Sequence, residues 1–533
     1  MLKASDQLNM RDKESFSKSR RSFSKGLALA GFGWVMRPGE ALGESGRYDV
    51  RAFGAKGDGQ SLDTAAIQKA IDSAASNDGG VVWFPSGTYL SFSLKLRSNI
   101  TLQLSSGATL LAATATFRNG QQYDLPEEQP TAIVPFQDYG HNHWHNSLIW
   151  GENIRDVAVL GPGVLWGRGL NKGDGPAEEK PGAGNKMIAL KNCHNVLLRD
   201  IEMRDAGHFG VLASGVDNLI IDGLKIDTRR DGIDIDSCRD VHVSNCTVNS
   251  PWDDGIVLKS SYSLGKLQPT ERVTITNCVV TGSFQVGSML DGTFLPFPEH
   301  VPVDPPAHTG RIKIGTETNG DVRNVVVSNC VLDGCFGLAV ESEDGGHIED
   351  ISFSNITMRN LTGPPFFVRL GSRLRGPAGT ATGSIRRVAF ADIQCWNADA
   401  RYCSMLTGVL GAKLEDISFM DIHVEHRGGG NIRHNEIPER EKEYPDPQMF
   451  GAGAAHGFFV RHVQGLRMGN IAVKAMNSDE RPLMVLDDVQ RSWVHGLEAI
   501  GSTSDEVQGR RLEQVQVLDA SLQQQTIVPY EPK

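Results

Sequence analysis

The stretch DGIDIDSCRDVHVSNCTVNSPWDDGIVLKS, Asp231–Ser260, carries one short pattern twice, Asp-Gly-Ile-x-(Ile/Leu)-x-Ser, first from Asp231 and again from Asp254. Alternation sends Ile233, Ile235, Ile256 and Leu258 to one side and Asp234, Asp236, Val257 and Lys259 to the other, which is the periodicity of a strand. Both copies read as half-buried strands whose second face meets water. On successive coils of a parallel stack, equivalent residues sit about 4.8 Å apart. Asp231 then stacks on Asp254, with Asp253 beside them. Carboxylates this close resist joint ionisation, so at least one holds its proton toward neutral pH, as a general acid requires.

The same register extends in both directions. Segments beginning at Asn195, Asn218, Asp240, Arg272, Asn324, Asp350, Arg387, Asp416 and Gly465 place Val196, Leu219, Val241, Val273, Val325, Ile351, Val388, Ile417 and Leu466 at one repeat position. A unit of 22 to 26 residues recurs between them, interrupted by insertions. Four residues later come Asp200, Gly223, Asn245, Asn277, Asn329, Asn355, Asp392, Asp421 and Asn470, suited to a ladder of side chains bonding the turn backbone. Each unit supplies strands and tight turns but too few apolar residues for a core of its own, the signature of a solenoid. The expected fold is all-β: a single-stranded, right-handed parallel β-helix. Leucine-rich repeats would need a regular Leu pattern and helical segments, which are absent.

The helical pattern DTAAIQKAID, Asp63–Asp72, follows a strand and the Gly-rich turn GAKGDG and predicts one short helix capping the N-terminal end of the core. The turn lacks the spacing of a phosphate-binding loop. Insertions at Thr116–Asn146, Gly169–Gly184, Gly282–His308 and His426–His456 are expected to project from the solenoid and wall a groove. The chain of 533 residues is therefore read as one elongated catalytic domain, 44–533, after a leader, 1–43. In that leader Arg20-Arg21 precede a short apolar run and Ala41-Leu42-Gly43, which resembles a twin-arginine export signal and predicts a periplasmic or secreted protein with no membrane association after export. The whole chain carries 53 basic and 64 acidic residues, and removing the leader's 8 and 4 leaves 45 against 60, a net charge of −15. This balance excludes a nucleic-acid partner. Cys246, Cys278 and Cys330 each follow an Asn at one repeat position and read as buried, stacked thiols. No Cys/His spacing suggests zinc, and neither metal nor cofactor is called for.

With Asp231, Asp253 and Asp254, the opening FGAKGDG and the order DGID then DD, the chain from about Tyr48 to Ile500 resembles the polygalacturonase-type pectin hydrolases, glycoside hydrolase family 28. The resemblance implies a pectin-lyase-like β-helix that hydrolyses a pectic glycosidic bond with inversion. It makes Asp253 the general acid and Asp231 and Asp254 the bases that activate water. Three places depart from the family pattern. Arg229 and Arg230 replace an Asn-Thr, Thr309-Gly310 stand near a histidine's place with His308 adjacent, and Ala339 and Glu341 replace an Arg and a Lys that grip a galacturonate carboxylate. A glutamate there would repel a uronate, which points to branched or rhamnogalacturonan-type substrates.

Candidate substrate-binding residues are Lys259, Arg311, Lys313, Arg369 and Arg373, with His208 and His308 at the groove edge, and His141, His143, Trp144 and His145 as a further sugar platform. For Lys259, Lys313, Arg369 and Arg373 the competing reading is an ion pair with Asp236 or Glu341. Two rival functions stay open. One is a β-helix lyase using calcium on Asp231, Asp234 and Asp254, and the other is a non-catalytic glycan-binding β-helix.

Overall fold

A computed structural model of the chain describes residues 46–116, 121–173, 175–177, 179–297, 308–431, 436–501 and 504–532. The proposed export signal, 1–43, lies outside them, and everything described belongs to the unit Gly43–Lys533. Among the described residues no helix is long and apolar enough to cross a membrane.

Strands stack in parallel on the strand one coil away, as the repeats require. Val196 pairs with Leu219, Leu219 with Val241, Val241 with Val273, Val273 with Val325, Val325 with Ile351, Ile351 with Val388, and Val388 with Ile417. All are buried. Further along the core, Phe353, Phe390 and Phe419 stack with centroids 4.9 and 4.6 Å apart.

The polar corner position has a backbone cause. Asp200, Asn245, Asn277, Asn329, Asn355, Asp392, Asp421 and Asn470 all adopt φ between 52° and 57°, the left-handed region that Asn and Asp tolerate because their side chains bond the local backbone. The amides also bond along the stack: Asn355 Nδ2 donates to Asn329 Oδ1 at 2.7 Å and Asn470 Nδ2 to Asp421 Oδ1 at 2.7 Å. Cys246, Cys278 and Cys330 are buried free thiols, each donating to the carbonyl two residues before it. At the N-terminal end α1 (Thr64–Ser76) buries Ile67, Ala70, Ile71 and Ala74 against the first coils, the i, i+3, i+4, i+7 face of an amphipathic cap. Asp63 accepts the Lys56 and Gly57 N–H groups at 2.7 and 3.0 Å, which closes the Gly-rich turn on itself.

Six strands carry the site: β1 (Phe209–Ser214), β2 (Asp231–Asp236), β3 (Ile256–Ser260), β4 (Ile312–Thr318), β5 (Leu338–Ser342) and β6 (Phe366–Leu370). Their outward side chains are not wet, contrary to the sequence expectation. Asp234, Asp236, Val257 and Lys259 are all buried, because the insertions fold down onto this sheet instead of standing away from it. His141, from 121–146, reaches Lys259. Tyr444, from 436–456, reaches Lys313 and Thr316.

Candidate active site

Ile233 lies opposite Ile256, so Asp231 on β2 lies opposite Asp254, just before β3. Gly232 N–H bonds Asp254 O at 3.0 Å across the two coils. Asp253 turns its carboxyl to the same place, and one oxygen from each of the three aspartates lies within 4.8 Å of the others. Asp253 is the outermost, with a quarter of its side chain exposed. Asp231 and Asp254 lie beneath it and are almost fully buried.

The three carboxyls sit in different fields. Burial first, then the neighbouring Asp253 charge, raise the proton affinity of Asp231 above the ordinary carboxylate range. Burial would do the same to Asp254, but Lys313 and Arg311 outweigh it and hold that carboxyl down to about 2. Arg311 Nε donates to Asp254 Oδ1 at 2.8 Å, and Lys313 Nζ lies 3.1 Å from Oδ2. The same two cations face Glu341, at 3.4 Å from Arg311 and 3.5 Å from Lys313. Glu341 is wholly buried. It therefore neutralises the box beneath Asp254 and offers no repulsion to an incoming uronate, which corrects the sequence reading of that position.

The expected sugar-binding cations are placed differently from prediction. Arg311 and Lys313 hold Asp254 from below and are buried. Lys259 is buried 3.0 Å from Asp234 and 3.5 Å from Glu317. Burial alone would strip its proton, but Asp234 and Glu317 outweigh that and keep it charged. His141 lies against it with Nε2 2.5 Å from Lys259 Nζ. Burial, then that charge, push His141 well below its ordinary value, so its ring is neutral and accepts the bond. Arg369 is fully buried and donates to the Glu439 and Arg440 carbonyls of the last insertion at 2.9 and 3.2 Å. Arg373 pairs with Asp344 at 2.5 Å and lies 3.5 Å from Glu317. An ion-pair geometry thus holds for all four: Lys313 faces Glu341, the partner expected, as well as Asp254, while Lys259, Arg369 and Arg373 face Asp234, Glu343, Asp344 and Glu317 in place of Asp236 and Glu341.

His208 lies in the turn before β1, buried, with its Nε2 3.4 Å from Asp231 Oδ2. His308 packs instead into an aromatic cluster, 5.4 Å from Trp252 and 4.8 Å from Phe297. Trp144 is no platform: it is wholly buried, with Nε1 bonded to Ser214 Oγ at 3.0 Å. The calcium set of the lyase alternative is not assembled, since Asp234 faces Lys259 in the buried layer rather than the opening.

Two parts of the site had no role in the sequence reading. Arg230 donates from Nε and Nη2 to Asp253 Oδ2 at 3.1 and 2.5 Å. The signal was present: Arg230 and Asp253 are separated by the same 23 residues as Asp231 and Asp254, so the register that stacks the carboxyls also stacks this cation on the third. Tyr444 carries a half-exposed ring over Lys313 and Arg373. It comes from a loop far along the chain, and no periodicity announces it.

Two family descriptions match parts of the chain: "Rhamnogalacturonase A/epimerase, pectate lyase-like" over residues 48–144 and "Right handed beta helix region" over residues 182–294. The chain is similar to the probable polygalacturonase of Vitis vinifera, 24% identical over 335 residues that take in 58% of this chain and 60% of that protein. It is also similar to the exo-poly-alpha-D-galacturonosidase of Dickeya chrysanthemi, 23% identical over 60% of this chain and 56% of that one. The chain thus spans less than two thirds of the length of either relative. A solved hyperthermoactive exopolygalacturonase from Thermotoga maritima superposes with a TM-score of 0.59 over 81% of this chain and 92% of that chain, at 18% identity. That likeness shows the fold, a right-handed parallel β-helix.

Proposed function

We propose that this chain is a glycoside hydrolase that cleaves a pectic polysaccharide, with rhamnogalacturonan-type or branched oligosaccharides as its substrates. The observation that carries the reading is the cluster of three carboxyls whose surroundings drive their proton affinities apart, Asp231 up and Asp254 down to about 2. Hydrolysis of a glycosidic bond needs a proton donor and a proton acceptor on either side of it, and a binder gains nothing from crowding like charges. Asp253, outermost, is placed to protonate the leaving oxygen. Asp231, with its raised affinity, is the better base toward water, and Asp254, held ionised near neutral pH by Arg311 and Lys313, sets the negative field beside it.

The closest carboxyl oxygens lie nearer than the roughly 6.5–9.5 Å usual for an inverting pair. Inversion is nevertheless the outcome proposed, because a nucleophile needs an unshielded oxygen. Both oxygens of Asp254 face cations, and Asp231 is buried against His208. Proton NMR of the first-formed anomer decides this point, and retention would make one of those two carboxylates the nucleophile.

The substrate preference rests on Ala339, buried where the family resemblance places a carboxylate-gripping cation, and on the Tyr444 loop lying across the neighbouring coils. The relatives named above are enzymes of galacturonans, so the comparison that matters is direct. Pectic fractions are digested and read by mass spectrometry and ultraviolet absorbance: hydrated products without a new chromophore support hydrolysis, and an unsaturated product supports the lyase. Higher kcat/KM on polygalacturonate than on rhamnogalacturonan oligosaccharides would overturn the stated preference. We also propose export by the twin-arginine machinery, leaving 44–533 as the mature chain in the periplasm or outside the cell; the mass of protein recovered outside the cytoplasm tests it, and retention of residues 1–43 there would sink it.

A further inference from the structure

We propose that Trp252, with Phe297 and His308, forms a subsite beside Asp253 for a neutral sugar ring, whose apolar face lies on the indole. The inference rests on the hydrolase reading and deepens it, by naming the kind of sugar that the substrate presents next to the outermost carboxyl.

The register that stacks the carboxyls also builds this wall. Asp231 lies opposite Asp254, so the positions two residues before them, Arg229 and Trp252, are neighbours on successive coils, and Trp252 N–H donates to the Arg229 carbonyl at 3.1 Å. One coil further on, Thr309 N–H donates to the Pro251 carbonyl at 3.1 Å. That bond brings His308 alongside Trp252, with ring centroids 5.4 Å apart. Phe297, from the insertion, closes the group at 5.1 Å from Trp252 and 4.8 Å from His308. All three residues are only partly buried, unlike Trp144 and the charged layer of the sheet.

The insertion's share of the wall is anchored. Phe284 and Pro296 pair antiparallel, which folds this stretch back on itself and sets Phe297 at its returning end. Asn249 Nδ2 donates to the Phe284 carbonyl at 2.9 Å, and Asp227 Oδ2 accepts the Met289 N–H at 3.0 Å. Asn249 Nδ2 also donates to Asp227 Oδ1 at 2.9 Å, and both anchors are wholly buried. A surface ordered in advance in this way loses little freedom when a ligand arrives.

The chemistry of the wall selects its occupant. The C–H face of a sugar ring gains by leaving water against an aromatic surface, and a 6-deoxy sugar adds a methyl group to that gain. A uronate would bring a carboxylate, which needs water or a cation. Among the described residues no cation lies over any of the three rings. Burial lowers the proton affinity of His308 with no charged neighbour acting on it, so its ring is neutral. Neither the indole N–H of Trp252 nor a ring nitrogen of His308 is bonded to another described residue, which leaves two donors and one acceptor for the hydroxyls at the sugar's edge.

The test compares a rhamnogalacturonan tetrasaccharide, which alternates a uronate with a neutral 6-deoxy sugar, with tetragalacturonate, which carries uronates only. Trp252→Ala is expected to lower kcat/KM about tenfold on the first, the size of one aromatic contact, and to change the second little. Trp252→Phe should keep most of the activity on the first. Phe297→Ala, which leaves the turn holding Asp253 intact, should lower it by a smaller factor. Equal losses on both probes would overturn the proposal, because they would mean that the ring only supports Asp253, and so would unchanged kinetics on the first. Calorimetric binding of both probes is measured alongside in Asp253→Asn, with and without the Trp252 change. If the wild type hydrolyses neither probe while the neutral-sugar probe binds about tenfold tighter through Trp252, the subsite stands and the hydrolase reading falls. If Trp252→Ala leaves the binding of that probe intact, the subsite falls whatever the activity.

Discussion

Lys313→Met probes the layer beneath the aspartates. Asp254, Arg311, Glu341 and Lys313 form a closed box of alternating charge with successive contacts of 2.8, 3.4, 3.5 and 3.1 Å. None of the four side chains is more than 6% exposed, so water screens the box little. Two cations balance two anions, and removing Lys313 leaves one buried negative charge uncompensated. Breaking a buried pair in this way costs about 3–5 kcal/mol. For a cooperative unit of roughly 490 residues the unfolding entropy is about 1 kcal/mol per degree, so the midpoint falls by about 3–5 °C. The double variant Lys313→Met/Glu341→Gln restores neutrality with side chains of similar size and should return most of that loss. Asp254 supplies a second reading. Its affinity is held at about 2 against an ordinary 3.8, worth about 2 kcal/mol of stability that is present above pH 4 and lost as pH falls toward 2. Without Lys313 that acid-side loss begins at higher pH. Scanning calorimetry of the wild type, the single and the double variant between pH 3 and 7 is the assay. A single variant within 1 °C of wild type at pH 7, or a double variant less stable than the single, refutes the charge-balance reasoning.

Three further outcomes follow from the site. Asp253→Asn should cut hydrolysis about a hundred- to ten-thousand-fold with an unchanged melting midpoint, and a nitrophenyl glycoside, whose leaving group needs no proton, should recover most of the loss; no recovery would remove Asp253 as the acid. Because Asp231 must be ionised to accept a proton and its affinity is raised, activity should rise with pH along a limb centred above the ordinary aspartate range, and a kcat/KM profile whose acid limb lies at or below pH 4 contradicts its role as base. Tyr444→Ala should raise KM about tenfold, equivalent to one contact of about 1.4 kcal/mol, while kcat changes little; an unchanged KM means the ring does not touch the sugar.

How much of this was legible depends on whether a contact runs between equivalent positions of neighbouring coils. Such contacts repeat with the coil, so the sequence spells them out. The stacked apolar line from Val196 to Ile417, the Asn and Asp corners, the three thiols and the meeting of Asp231 with Asp254 all follow from one register. Arg230 on Asp253 belongs to the same class and was readable from its 23-residue offset. The contacts of His141 with Lys259, of Tyr444 with Lys313 and of Arg369 with the Glu439 carbonyl join residues 118, 131 and 70 positions apart. These depend on how an irregular insertion folds back, which no period encodes.

That difference explains why the charged residues were mislocated as a group. An outward side chain on a strand is in water only while nothing lies over it, and here the insertions cover the outward line of β2 to β6 almost completely. Once covered, Asp234, Lys259, Lys313, Glu341 and Arg369 cannot remain solvated singly, because an isolated buried charge is far too costly. They must neutralise one another or bond to loop carbonyls, and the observed pairs do so. The consequence reaches the chemistry. Cations drawn into the covered layer are no longer available to grip a substrate, but the two beneath Asp254 now hold that carboxyl ionised at any physiological pH. Of the other two carboxyls, Asp231 lies buried beneath with its proton affinity raised, and Asp253, the outermost, is the one that a bound sugar would meet first.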